Sequence, residues 1–327
     1  MTADSHHERT EETHVCTRGL QTWSTYADNQ SGCMISIIHC EANPNGLYNP
    51  FDQKQSDKRF VNVKMRILIS NDDGIYSPGI VQLAKAAARF GEVRIVAPDV
   101  EQSSMSHAIT ASRPLRFKRV HRGEFDAYSV NGTPADCVAL GMHRWTHVDL
   151  VLSGINLGLN LGNSVWHSGT LAAAKQAALL GSRGIAFSTN VSDSHEPDFS
   201  ALEPYVAKVL DLLLGTKTLS LVNVNLPERP KGIRWTRQSV RHYDGKVVPD
   251  KDPMGRSIFW FTVTPLEGAA KGTDRWAVEH NWVSITPLRL DLTDEADLAR
   301  ALALSHPPAA KVVSKQPGTT RARKQRR

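Results

Sequence analysis

The stretch Arg66–Gly79 constrains the fold of this chain more than any other, because its character changes twice within a short distance. Residues 67–70 form an apolar run typical of a strand buried on both faces, and the run ends abruptly at Asn71-Asp72-Asp73-Gly74. Pro78 then suits the first turn of a helix, where its missing N–H costs nothing. The sequence therefore predicts a strand, an acidic loop and a helix in direct succession.

The same alternation of short apolar runs and helical patterns continues along the chain. Further strands are predicted at residues 92–98, 115–120, 125–130, 148–153, 184–189 and 219–225, and further helices at 135–145, 170–180, 201–214 and 293–304. This order predicts an α/β fold with a doubly wound, Rossmann-like, mostly parallel sheet. Ligands of such a sheet collect beyond the carboxyl ends of its strands.

Residues 226–290 differ from the alternating part. They hold four of the seven tryptophans and short β-like pieces, which predict a C-terminal β-hairpin or arm. A projecting hairpin cannot bury large aromatic side chains against itself, so we interpret this segment as an oligomerisation arm.

The net charge of +6 is concentrated at the C-terminus. Residues 1–64 carry a net −2, residues 65–306 a net +1 and residues 307–327 a net +7. The last segment has no aromatic residue and is predicted to be a basic disordered tail. If the chain contacts nucleic acid, we expect it to do so only through this tail. Residues 1–64 have no sustained period and many turn signals, so we expect a poorly ordered N-terminal extension before the α/β domain of residues 65–306.

Several classes of protein are disfavoured. The longest apolar run near the N-terminus, residues 34–38, is too short for a membrane span and lacks the pattern of a signal peptide, so cytoplasmic residence without membrane contact is expected. Three of the four cysteines fall in the first 40 residues, which suggests neither a disulfide framework nor a zinc site. No Gly-x-Gly-x-x-Gly or Walker A pattern supports nicotinamide or P-loop chemistry.

Three polar loops follow different predicted strands. They are Asn71-Asp72-Asp73-Gly74, Gln102-Ser103-Ser104-Met105-Ser106, and Ser153-Gly154-Ile155-Asn156 with Asn160 beyond it. Taken alone, Asp72 and Asp73 also fit a turn and a helix cap. Together the loops offer carboxylates, hydroxyls and amide carbonyls, an all-oxygen set that suits Mg²⁺ or Mn²⁺. His167-Ser168-Gly169-Thr170 opens a helix, whose free N–H groups suit a phosphate.

With these loops the chain closely resembles the SurE (survival protein E) family of metal-dependent 5′/3′-nucleotidases, in family order from about Met65 to Leu304. The matching segments are Ile69-Ser-Asn-Asp-Asp-Gly74 with Pro78-Gly79, Val96-Ala-Pro-Asp99 with Gln102-Ser103, Asn131-Gly-Thr-Pro-Ala-Asp-Cys137, Ser153-Gly-Ile-Asn-Leu-Gly-Leu-Asn160, Ser168-Gly-Thr170, Gly272-Thr-Asp274 and Val283-Ser-Ile-Thr-Pro-Leu288. The resemblance implies hydrolysis of nucleoside 5′- and 3′-monophosphates with a divalent metal cation. It also implies a homodimer or homotetramer formed through exchanged C-terminal elements.

The resemblance assigns roles to particular positions. Residues Asp72, Asp73, Ser103 and Asn156 would hold the metal, and Asn160 with Ser168, Gly169 and Thr170 would lie beside the phosphate. Apart from the resemblance, Ser106 of the serine loop is a further candidate for phosphate binding. Asp72 or Asp73 is the expected acceptor of the proton of the attacking water, and the sequence leaves open which one serves. It also leaves open whether Ser106 or His107 assists. One departure is Ser104, which stands where the family usually has glycine.

Two alternative functions stay open at this point. One is a phosphatase that acts mainly on short polyphosphate or sugar phosphates. The other is a non-catalytic nucleotide- or RNA-binding module that combines the acidic loop with the basic tail.

Overall fold

The computed structural model describes residues 64–190, 198–216, 218–240, 243–265 and 268–305, together with strands β1 (Thr22–Ala27) and β2 (Met34–His39). The chain divides into two compact units, residues 1–61 and residues 62–327. In the first unit β1 and β2 pair antiparallel, with Thr22 opposite His39. The sequence predicts little order in this part of the chain, yet both segments are rich in β-branched and aromatic residues, which favour strands.

The second unit is built on a nine-stranded sheet in the order β10-β13-β9-β8-β7-β3-β4-β6-β5. Its strands and the additional hairpin strands are β3 (Met65–Ser70), β4 (Gly91–Pro98), β5 (Phe117–Arg122), β6 (Phe125–Val130), β7 (Leu150–Leu157), β8 (Arg183–Thr189), β9 (Leu221–Leu226), β10 (Ile233–Trp235), β11 (Tyr243–Lys251), β12 (Ser257–Pro265) and β13 (Val283–Pro287). The central run from β9 to β6 is parallel, and β5 and β13 each pair antiparallel with it.

Helices cover both faces of this sheet. They are α1 (Pro78–Ala87), α2 (Pro134–Trp145), α3 (Gly169–Leu179), α4 (Phe199–Leu214), α5 (Asp274–Glu279) and α6 (Glu295–Ser305), with a 3₁₀ helix at Gly162–Trp166. Successive side chains of β3 point to opposite faces, so Ile67 and Ile69 pack in the cluster that includes α1 and α4, whereas Leu68 packs with α2 and α3. The doubly wound α/β fold predicted from the sequence is therefore confirmed.

The order of the strands places a functional site. From β3 the chain moves outward through β4 to β6, then returns to β7 on the other side of β3 and continues to β8 and β9. The direction of winding thus reverses between β3 and β7. In open α/β sheets the crevice beyond the carboxyl ends of the strands at such a switch point is where ligands bind.

The C-terminal part differs in detail from the predicted arm. Only β11 and β12 form a separate antiparallel hairpin, whereas β10 and β13 join the main sheet, where Ile285 of β13 pairs with Val224 of β9. Residues 283–286 are buried, so burial decides their placement in the sheet. Among the described residues no helix has the length and apolar character needed to cross a membrane.

Candidate active site

A cavity of about 590 Å³ lies beyond the carboxyl ends of β3 and β7. Its walls come from the loop after β3, the loop after β4, the end of β7, the turn before α3 and the β11–β12 hairpin. The lining residues are Asp72, Ser103, Ser104, Asn156, Leu157, Asn160, Ser164, His167, Ser168 and Phe261. The three polar loops predicted from the sequence therefore converge on one place.

Asp72 forms the buried floor of this cavity, with a relative exposure of 5%. Its Oδ1 accepts a hydrogen bond of 2.6 Å from the Thr170 hydroxyl, and its carbonyl oxygen accepts one of 2.8 Å from the Gln102 amide. Gly169 packs against the same side chain, since a Cβ atom at that position would lie 2.8 Å from the Asp72 Cβ. The N-terminus of α3 therefore holds the Asp72 carboxylate directly.

Asp73 lies beside Asp72 and is fixed by β7. Its Oδ2 accepts a hydrogen bond of 3.3 Å from the amide of Leu157. Burial, followed by repulsion from the Asp72 carboxylate, raises the pKa of Asp73 to about 7. Burial also raises the pKa of Asp72, although the hydrogen bond from Thr170 opposes this shift. The negative charge of Glu101 adds to both shifts, so the electrostatics of the site favour a cation.

Ser103 and Asn156 offer neutral oxygen atoms to the same cavity. The Ser103 hydroxyl donates to Glu101 Oε1 at 2.6 Å. Asn156 donates from Nδ2 to the carbonyl of Gly158 at 2.6 Å, which leaves its Oδ1 as the end of the amide that can bind a cation. Two carboxylates, a hydroxyl and an amide oxygen fit a hard divalent ion such as Mg²⁺ or Mn²⁺. Nowhere in the described part of the chain do three or more His, Cys, Asp or Glu side chains form a potential metal cluster.

Asn160 is held by a buried network of side chains from two strands, β8 and β9. Its Nδ2 donates to the Ser188 hydroxyl at 2.8 Å, and its amide N–H donates to Asn225 Oδ1 at 2.8 Å. Its carbonyl oxygen accepts from the Nδ2 atoms of Asn223 and Asn225. The sequence did not predict these partners, although two asparagines within a buried strand indicate such a network, because buried amides require hydrogen-bond partners.

The structure places only some of the residues predicted to bind phosphate at the cavity. Asn160 and Ser168 line the cavity, and Ser168 caps α3 by accepting from the Leu171 amide at 3.0 Å. Thr170 and Gly169 instead lie behind Asp72, where they support the carboxylate. Ser106 donates through its hydroxyl to the carbonyl of Trp166 at 2.7 Å.

Ser106 and His107 line a neighbouring cavity of about 520 Å³, so the structure does not bring them together with Asp72. His107 Nε2 lies 2.9 Å from Gln176 Oε1. His167, by contrast, lines the cavity that contains Asp72. The loop of residues 102–106 therefore contributes to two cavities.

Ser104 lines the Asp72 cavity with a backbone φ of +61°. This left-handed conformation costs a residue with a Cβ about 1 kcal/mol, and glycine adopts it without that cost. This conformation explains why glycine suits this position, where the resemblance leads us to expect it. In this chain the serine instead places a side chain at the cavity wall.

Three further residues of the site were given no role from the sequence. Glu101 contacts Ser103, Phe261 reaches the cavity from the β11–β12 hairpin, and Asp274 ties two loops by accepting from the amides of Gly162 and Ser239, each at 2.9 Å. Asp274 lies in the Gly272-Thr-Asp274 segment, which did signal it. No local sequence pattern indicated that Phe261 lies at the cavity, because its position depends on how the hairpin packs.

Comparisons with known proteins agree with this geometry. The family described as "Survival protein SurE" matches residues 67–245. The chain is 49% identical over 236 residues to 5′-nucleotidase SurE 1 of Thermus thermophilus, a match that covers 70% of this chain and 93% of the relative. It is 43% identical over 251 residues to 5′-nucleotidase SurE of Deinococcus radiodurans, covering 74% and 93%.

A solved structure gives the same answer. The SurE protein of Aquifex aeolicus superposes with a TM-score of 0.64 at 37% sequence identity, and the match covers 73% of this chain and 99% of that one. The resemblance inferred from the polar loops is confirmed. The chain belongs to the SurE family.

Proposed function

We propose that this protein is a metal-dependent 5′-nucleotidase that hydrolyses nucleoside 5′-monophosphates, and also 3′-monophosphates, to nucleoside and phosphate. The observation that carries the proposal is the pair of Asp72 and Asp73, two adjacent carboxylates with raised pKa values at the switch point of the sheet. The names of the Thermus and Deinococcus relatives support the same activity.

The donor set suits a divalent cation, Mg²⁺ or Mn²⁺, held by Asp72, Asp73, Ser103 and Asn156. When bound, such an ion polarises a phosphoryl oxygen and lowers the pKa of water. The choice fits the all-oxygen character of these four side chains and the excess of negative charge around them.

The two aspartates are held by different contacts. Asp72 is held by Thr170 in a hydrogen bond that favours its ionised form. Asp73 accepts a hydrogen bond from the amide of Leu157. Because a bound cation would favour the ionised form of both carboxylates, we propose that one of the two aspartates accepts the proton of the attacking water.

The phosphate is proposed to lie in the cavity, beside Asp72 and Ser168, which both line it. Ser168 caps α3 and lines the cavity, and the partial positive charge at the N-terminus of this helix favours an anion there. The side chain of Asn160 is fixed by its bond to Ser188. Because the Ser168 hydroxyl accepts from the Leu171 amide, it can donate to a phosphoryl oxygen without rearrangement, which is the requirement for stabilising charge that develops during reaction. Asn160 Nδ2 also donates to the Thr170 hydroxyl, so Asn160 would bind a phosphoryl oxygen by exchanging one of these two hydrogen bonds.

The test is a phosphate-release assay over nucleoside 5′- and 3′-monophosphates, polyphosphate and sugar phosphates, each with EDTA, Mg²⁺ or Mn²⁺. Release from nucleoside monophosphates that requires metal, with Asp72→Asn inactive, is the expected result. Preference for polyphosphate or sugar phosphates would select the rival phosphatase. Absence of release, with salt-dependent RNA binding lost on deletion of residues 307–327, would select the binding module.

Assembly as a homodimer or homotetramer is part of the proposal. The β11–β12 hairpin exposes Phe259, Trp260 and Phe261, each with a relative exposure above half. Neighbouring exposed aromatic side chains mark interaction surfaces on soluble proteins. The rest of the proposed arm, residues 226–242 and 266–290, includes strands of the main sheet, so the hairpin is its candidate contact element.

A further inference from the structure

The β11–β12 hairpin places one aromatic ring at the wall of the catalytic cavity. Phe261, from the middle of β12, lines the cavity with Asp72 and Ser168, and its relative exposure is 69%. Among the described lining residues it is the only phenylalanine, tyrosine or tryptophan. An exposed aromatic ring thus faces the space above a polar floor.

The backbone beneath this ring holds it in place. Gly245 lies on β11, and a Cβ atom added there would come within 2.6 Å of the Phe261 Cζ. The ring therefore rests on the backbone of the neighbouring strand, and the glycine provides the room for it. An aromatic residue that covers a glycine across two strands is a recognised stabilising arrangement, and it favours this position of the ring.

We propose that Phe261 is the nucleobase platform of this site. The proposal rests on the function proposed above, and it adds where the nucleoside of the substrate lies. With the phosphate at Asp72 and Ser168, the sugar and base must extend through the cavity, whose volume of about 590 Å³ lies in the roughly 300 to 1,000 Å³ range of small-molecule sites. The base then stacks on the exposed face of the ring.

The chemistry of the ring defines the expected specificity. Every nucleobase has a π face, and phenylalanine has no hydrogen-bonding atom with which to distinguish one base from another. Phe261 therefore favours nucleotides over phosphomonoesters without a base, with little preference among bases of the same size. Purines stack over more area than pyrimidines and bind more tightly.

Phe259 is the matched control. It lies two positions away on the same face of β12 with a relative exposure of 67%, but it does not line the cavity. Loss of either ring removes the same amount of aromatic surface from the hairpin. Any effect on assembly should therefore appear in both variants, whereas an effect on the nucleobase should appear only at position 261.

The experiment compares wild type, Phe261→Ala, Phe261→Tyr and Phe259→Ala with adenosine 5′-monophosphate and with glycerol phosphate. Loss of one base–aromatic contact is expected to raise KM for the nucleotide roughly 5- to 100-fold in Phe261→Ala with kcat retained. KM for glycerol phosphate should stay unchanged. Phe261→Tyr should restore the nucleotide KM, and Phe259→Ala should keep the wild-type KM for both substrates.

A second readout does not depend on turnover of a nucleotide. The product adenosine should compete with glycerol phosphate, and its inhibition constant should rise in Phe261→Ala by the same factor as KM. Gly245→Ala, which displaces the ring, should reproduce both effects. Light scattering on every variant records the oligomeric mass.

Two results would contradict the proposal that Phe261 is the nucleobase platform. One is an unchanged nucleotide KM in Phe261→Ala, and the other is an equal change in Phe259→Ala together with a lower mass, which would assign the ring to assembly. Neither result affects the proposed function, as long as the wild type releases phosphate from nucleotides. A wild type without that activity would instead contradict the proposed function itself.

Discussion

Replacing Asp73 with asparagine is expected to stabilise the metal-free protein although it removes a metal ligand. The carboxyl group is partly buried next to Asp72, and its pKa rises from the ordinary 3.8 to about 7. A folded-state pKa above the unfolded value means that stability falls as pH rises from about 4 to about 7 and stays level above that. Asparagine keeps the size of the side chain and its acceptor for the Leu157 amide, but it carries no charge.

The size of the effect follows from the shift. At roughly 1.4 kcal/mol per pKa unit, and with a reduction for partial exposure, ionised Asp73 costs the metal-free protein roughly 3 kcal/mol above neutral pH. For a domain of this size that corresponds to a Tm higher by roughly 5 to 10 °C in Asp73→Asn at about pH 8. At about pH 4 the difference should nearly vanish, because Asp73 is protonated in the folded wild type.

The assay is thermal unfolding in EDTA between about pH 4 and pH 8, repeated with excess Mn²⁺. Bound metal should stabilise the wild type by roughly 2 to 3 kcal/mol at about 100 times its Kd, and should leave Asp73→Asn nearly unaffected. Asp211→Asn, at an exposed position of α4, is the control. Equal pH profiles for wild type and Asp73→Asn in EDTA, or equal stabilisation of both by Mn²⁺, would refute the reasoning.

The remaining predictions concern the support of Asp72, assembly and the N-terminal segment. Gly169→Ala places a Cβ 2.9 Å from Asp72 Oδ2 and should lower kcat/KM at least about tenfold, whereas Gly215→Ala, whose nearest neighbour would be 3.5 Å away, should not. Trp260→Ala should lower the mass measured by light scattering at micromolar concentration while Mn²⁺ binding is retained, and an unchanged mass would exclude this residue from the contact. Deletion of residues 1–64 should leave Tm and kcat/KM nearly unchanged, because the deleted part has no sustained apolar period and ends before β3 begins; an insoluble product would contradict that boundary.

The layout of the sheet was predictable because each buried parallel strand has a recognisable local sequence pattern, a short apolar run. Residues 67–70 and 148–153 are predicted as strands from their composition alone, and the sheet contains a strand at each place. The loops after such strands had to meet at one edge, so the sequence alone was enough to place Asp72 and Asn156 in one site.

The supporting contacts were not predictable in the same way. Thr170 follows Asp72 by 98 positions and reaches it only because α3 begins at the switch point. Asn160 and Asn225 are 65 positions apart and meet through the packing of β7, β8 and β9. Such pairings depend on distances between elements, which the local pattern of either segment does not contain. The same holds for Phe261, whose role depends on the orientation of a hairpin.

The contacts around Asp72 explain why an unfavourable pair of charges can persist in this fold. Its carboxylate is held by Thr170, its carbonyl by Gln102, and its Cβ packs against Gly169, so the loop after β4 and the helix α3 both fix one residue. Asp73 is fixed independently by β7 through Leu157. Because each carboxylate is anchored by a different element, the pair cannot relax by moving apart without disturbing the core. The repulsion that remains is relieved by a proton or a divalent cation, and this couples the stability of the domain to occupation of its site.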